Sequence, residues 1–102
     1  MALNPLTALS PLDGRYSRQC DPLRGIFSEY AFMNARVRVE VEWLIAFSEA
    51  GFAELPHLSD HGKAFLRGLA EHFSLDDCAA VKEIEKTTNH DVKAVEYWIK
   101  GQ

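Results

Sequence analysis

The chain has 102 residues, 47% of them hydrophobic and 25% charged, and 11 Lys and Arg against 15 Asp and Glu leave a net charge of −4. That length gives room for one domain with a single modest core, and the hydrophobic fraction is that of a globular protein rather than a disordered one. A net negative charge without any basic run excludes a general attraction to nucleic acid, and no apolar stretch approaches the roughly 18–20 residues that cross a bilayer.

The start, Met1-Ala2-Leu3-Asn4-Pro5, lacks the charged and apolar regions of a secretory signal. Residues 1–20 are rich in turn formers and poor in periodicity, so they read as an extended arm, with helices over 21–102. Within the arm, Ser10-Pro11-Leu12-Asp13-Gly14-Arg15-Tyr16 is a loop, because Pro11, Asp13 and Gly14 favour turns. It delivers a guanidinium and a phenol side by side. Arg15 offers a planar fork of donors that matches a phosphate or a carboxylate, and Tyr16 offers a ring face and a hydroxyl. The same pair is also an ordinary surface feature.

Asp21-Pro22 reads as a cap and first residue of a short helix through about Phe27. Ser28 and Glu29 then open a long helix that ends near Gly51. Arg36 to Trp43 alternates polar and apolar residues, a strand signature, yet no Gly or Pro interrupts Ser28 to Gly51, and that span is too long for an ordinary strand. Arg36 with Glu40, and Arg38 with Glu42, also stand four apart, where helix side chains meet. Met33, Val37, Val41 and Leu44 form one apolar row; Phe32, Ala35, Val39, Trp43 and Ala46 form a second. Two rows predict a helix contacted from two sides, in a bundle or at a subunit interface.

A loop with Pro56 follows. Ser59-Asp60 caps a helix from about His61 to Phe73, with Ala64, Phe65, Leu66, Leu69, Ala70 and Phe73 buried. Ser74 caps the next helix, whose Asp76 and Asp77 suit its positive end and whose Ala79, Ala80, Val81 and Ile84 face inward. That helix stops near Lys86, and a last one runs from about Asp91 to Lys100. The class is all-α, a small bundle of four main helices.

Few side chains suggest chemistry. Cys20 and Cys78 stand alone and fit unpaired thiols in a reducing cytoplasm. His57 and His61 are four apart, but Pro56 and the Ser59-Asp60 cap put His57 outside the helix, so no metal site is expected. His72 suits the surface at a helix end, and Glu40, Glu42, Glu83 and Glu85 belong to charged helix faces. Thr87-Thr88-Asn89-His90-Asp91 is different: two hydroxyls, an amide, an imidazole and a carboxylate run straight into a helix. One reading is capping, with Thr88 as N-cap and Asp91 three residues on as the acid of the box. The other is anion binding at the helix start, where the dipole favours a neutral His90. A neutral imidazole donates one hydrogen bond and accepts another. It could hold a phosphate oxygen, a carboxylate or a purine edge, or pass a proton.

Ser10 to Tyr16, Leu23 to Tyr30 and Ile84 to Tyr97 together resemble the adenylosuccinate lyases of the fumarase/aspartase superfamily, in the bacterial branch that begins with a Ser-Pro-x-Asp-Gly-Arg-Tyr turn. The similarity covers nearly the whole chain and is loosest between Gly51 and Phe73. Members of the family are several times longer, so the chain resembles their N-terminal domain. The resemblance implies elimination of fumarate from adenylosuccinate, giving AMP, and from the succinylated imidazole-carboxamide ribotide, with no cofactor. It implies substrate binding by Arg15, Tyr16, Asn89, His90 and Asp91, with proton transfer by His90 left open. The family's base, a serine on a mobile loop, and its acid, a histidine, lie downstream of the matched motifs. The resemblance also implies a cytoplasmic homotetramer whose active sites form where three subunits meet. The 102 residues alone are then expected to be inactive. Two other readings remain: a non-catalytic helical interaction module, and the N-terminal domain of another superfamily lyase, such as one acting on argininosuccinate.

Overall fold

From Glu29 onward apolar residues recur at three- and four-residue spacing, and there the chain folds into four helices: α3 (Glu29–Ser48), α4 (Asp60–Glu71), α5 (Leu75–Thr88) and α6 (Asp91–Lys100). Two single-turn helices, α1 (Ser17–Cys20) and α2 (Arg24–Phe27), precede them, and no strand forms. The structure, a computed structural model, describes residues 1–102. It divides into two compact units, Met1–Ala31 and Phe32–Gln102.

In the first unit the opening segment is turn-rich, as its sequence suggests, and the turns close into short helical pieces. A 3₁₀ turn spans Pro11–Asp13, and a second, Asp21–Leu23, leads into α2. Cys20 rather than Asp21 is the residue before that second turn; Asp21 lies inside it and accepts from Arg24 Nε at 2.9 Å. Ser28 Oγ accepts the Ala31 amide at 3.1 Å, the cap expected for α3.

In the second unit the alternating stretch of α3 is helical. Met33, Val37, Val41 and Ile45 form its buried row, and Leu44 is half-buried. The row ends on buried Ser48, whose hydroxyl donates to the Ile45 carbonyl at 2.7 Å, so no polar atom there is wasted on an apolar neighbour. The second row is bare: Phe32, Val39 and Trp43 are 52%, 66% and 65% exposed. Trp43 stacks on Phe47 at 5.9 Å, and Phe47 meets Phe52 at 5.2 Å.

The expected pairing of Arg38 with Glu42 gives way to a longer-range one. Arg67 Nε and Nη2 both donate to Glu42, at 2.9 and 3.1 Å, and hold its carboxyl below the usual range. Lys63 pairs with Glu49. These two pairs link one flank of α4 to α3 and to the residue just after it. Ala70 is buried and Leu66 and Leu69 are half-buried, whereas Ala64 and Phe65, expected inside, point outward. On α5 the same correction applies: Cys78 and Val81 are buried, Ile84 is half-buried, and Ala79 and Ala80 are exposed. A helix hides only about one side of its circumference, so four neighbouring apolar residues cannot all face one partner. A reciprocal capping box opens α5: Ser74 Oγ accepts from Asp77 N at 3.0 Å and Asp77 Oδ2 accepts from Ser74 N at 2.9 Å. Ala94, Val95 and Trp98 bury the inner face of α6, where Trp98 meets Phe73 edge-on at 5.3 Å.

Candidate functional site

Arg15 and Tyr16 belong to the first unit, and Asn89, His90 and Asp91 to the second. The loop before Arg15 is shaped by Gly14, whose amide donates to the Pro11 carbonyl at 3.1 Å. Gly14 is buried, and a Cβ there would lie 3.3 Å from the Pro5 carbonyl oxygen and 3.4 Å from that of Ser10. A side chain there would be tighter than most Cβ contacts, so the neighbouring backbone would have to give way slightly to admit one. The tight turn leaves Arg15 and Tyr16 exposed, with the guanidinium 4.8 Å from the ring centroid, within cation–π range. Another guanidinium of this unit, that of Arg24, is occupied. Arg24 binds Asp21, Asp13 at 3.1 Å and the Ser17 carbonyl at 3.3 Å; first Asp21, then Asp13, hold it more firmly protonated. A hollow of about 530 Å³ lies alongside, lined by Leu12, Cys20, Leu23 and Phe27 around the Arg24–Asp13 pair. Arg24, its one cation, is already paired, carboxylates of Asp13 and Glu29 also line it, and Arg15 does not, so it is no cradle for an anion.

The second segment starts where α5 stops. The helix runs two residues past Lys86, to Thr88, and Asn89 turns the chain with φ +52°, in the left-handed region that Asn tolerates better than most residues. Replacing Asn89 by Ala is expected to cost roughly 1 kcal/mol of stability in urea titrations, and replacing it by Gly no more than a few tenths.

The turn changes the cap. His90, not Thr88, is the N-cap of α6: Nδ1 accepts the Lys93 amide at 3.3 Å. Thr88 is the last residue of α5, and its hydroxyl accepts from His90 N at 3.3 Å while donating to the His90 carbonyl at 3.0 Å. Asp91 Oδ1 accepts the Val92 amide at 2.8 Å, and its Oδ2 forms an ion pair with Arg36 of α3. Arg36, then the Val92 amide, hold this carboxyl below its ordinary value of 3.8. Arg36 is itself stacked on Phe32, 3.9 Å from the ring centroid. Its expected partner was Glu40. The imidazole of His90 remains 66% exposed.

Beside Asn89 is an open hollow of about 340 Å³ that Lys82, Glu85 and Lys86 also line. Lys82 and Lys86 pair with Glu85 and Glu83 at 3.0 and 2.8 Å. Sequence reasoning passed over these lysines, although 82, 86 and 89 are spaced as one helix face. The pairing of Arg36 with Asp91, rather than with Glu40, has no local signal because the two are 55 positions apart.

No family model matches the chain. Curated relatives do. It is 55% identical over 101 residues to an adenylosuccinate lyase of Haemophilus influenzae and 48% identical over 101 residues to one of Escherichia coli, each alignment covering 98% of the chain. The chain is similar throughout to the N-terminal part of adenylosuccinate lyases. It is also 49% identical over 104 residues to the adenylosuccinate lyase of Dictyostelium discoideum, over 96% of its length. It spans 22% of the length of each of these lyases. No helix of the chain is long and apolar enough to cross a membrane.

Proposed function

We propose that the chain provides nucleotide-binding side chains of an adenylosuccinate lyase. The observation that carries this reading is identity of 41–55% to proteins of that name across nearly every residue. In the reaction a base removes a proton from the carbon next to a carboxylate. The electron pair forms the double bond of fumarate, the carbon–nitrogen bond breaks, and an acid protonates the departing nitrogen, leaving AMP. The same elimination converts the succinylated imidazole-carboxamide ribotide. It needs no cofactor, and this segment supplies neither the base nor the acid.

What the segment supplies is recognition. The substrate is polyanionic, with a phosphate and two carboxylates, and exposed Arg15 offers a fork that either can fill. Tyr16 adds a ring and a hydroxyl. Asn89 and His90 offer neutral polar groups at a helix start, and Asp91 contributes by holding that segment in place. In the complete enzyme, a cytoplasmic homotetramer, Arg15 and His90 each serve substrate binding, and the apolar row Phe32, Val39 and Trp43 is covered in the assembly. The partner is a succinylated nucleotide, not nucleic acid or a membrane. The isolated 102 residues are expected to release no fumarate from adenylosuccinate above a matched control. Turnover by them would show that the segment holds a base and acid of its own.

A further inference from the structure

We propose that Arg36 is a positioning residue for His90: by engaging Asp91 it leaves Nδ1 as an acceptor for the Lys93 amide, so the exposed nitrogen, Nε2, carries the proton and meets the ligand as a donor. The inference rests on the reading of His90 as a ligand-binding group and decides which role it plays there.

The argument is one of competition for a lone pair. A neutral imidazole has one N–H and one bare nitrogen. Nδ1 accepts a backbone N–H at 3.3 Å, which requires it to be bare. Asp91 Oδ1 lies 3.9 Å from the same atom, beyond hydrogen-bond reach. A free carboxylate so close would draw the ring proton onto Nδ1 and break the cap. It is not free: one oxygen takes the Val92 amide and the other takes Arg36. Arg36 is set for this by its stacking on Phe32 and by its position one residue before buried Val37 on the long helix α3. Lys93, the other charge nearby, is paired with Glu96 at 3.1 Å. The outward Nε2–H then calls for an acceptor, a phosphate or carboxylate oxygen, and disfavours a purine amino group. Nδ1, committed to the cap, takes no proton from substrate.

The test is the tautomer ratio of His90 in the ligand-free 102-residue chain, read from imidazole ¹⁵N shifts at alkaline pH where the ring is neutral. The wild type is expected mainly in the Nε2–H form; a dominant Nδ1–H form would overturn the proposal. Arg36→Met and Arg36→Gln, either of which suffices, should raise the share of Nδ1–H by about threefold or more, the scale of one exposed charge pair released. Arg36→Lys should keep the wild-type ratio. Adding Asp91→Asn to Arg36→Met should restore it, because the competing carboxylate is gone. An unchanged ratio in the charge-removing variants, a shift in Arg36→Lys equal to theirs, or a shift that Asp91→Asn does not reverse would each show that Arg36 only packs. No ligand enters the measurement, so its failure leaves the nucleotide-binding reading standing, and failure of that reading leaves the tautomer result intact.

Discussion

Trp98→Ala is expected to remove about 3–5 kcal/mol of stability, the range for losing a buried aromatic side chain. Trp98 is only 6% exposed and packs edge-on against Phe73, itself buried. Its helix neighbours Ala94 and Val95 are completely buried, so little can slide into the space it leaves. At roughly 0.05–0.15 kcal/mol per residue, the unit from Phe32 to Gln102 has about 4–11 kcal/mol of stability in all, so that loss is a large share of it. A urea titration followed by helical circular dichroism should therefore find the variant's midpoint far below that of the wild type. Tyr97→Ala, one position along and 49% exposed, should lose about 1 kcal/mol or less. Equal losses at both positions would mean that α6 is not seated as described. The contrast bears on function because α6 carries His90 at its first turn.

A second large effect is expected on binding. Consider a chimera in which residues 1–102 replace the matching N-terminal segment of the Haemophilus influenzae lyase, 55% identical over 101 residues. In it, Arg15→Met and His90→Ala should each lower kcat/KM for adenylosuccinate by about ten- to a hundredfold, the value of a hydrogen bond to a charged group. For Arg15 the loss should fall mainly on KM, because a phosphate keeps its charge through the reaction and is bound equally in ground and transition states. Arg24→Met is the control for a guanidinium on the same unit: Arg24 is already committed to Asp13 and Asp21, so its loss should disturb the local fold without the same KM signature.

Local signals were legible in the sequence, and relations between distant residues were not. Helix starts at Ser28, Ser59 and Ser74 could be read because a cap involves only a few neighbouring positions. Spacing of four also settled the helix-or-strand ambiguity of α3, although for an incomplete reason. Arg36 and Glu40 are correctly placed for a helix, yet Arg36 reaches across to Asp91 instead. Propensity within one element says nothing about the charge that another element brings. The Thr88 cap failed on a single backbone angle: Asn89 in the left-handed region ends one helix and moves the start of the next to His90. The outward turn of Phe65, Ala79 and Ala80 likewise depends on how each helix is rolled against its neighbour, which composition cannot fix. Arg15, Tyr16, Asn89, His90 and Asp91 stood out by residue type alone. Why they are held as they are lies with Gly14, Arg36 and the left-handed Asn89.

Fumarate release by the unmutated chimera tests most directly whether this chain is a working part of such a lyase. Mixed with adenylosuccinate, the chimera is expected to turn over within about tenfold of the parent enzyme, since exchanged side chains outside the site cost little in the transition state. A chimera that folds and assembles like the parent but releases no fumarate would contradict the claim.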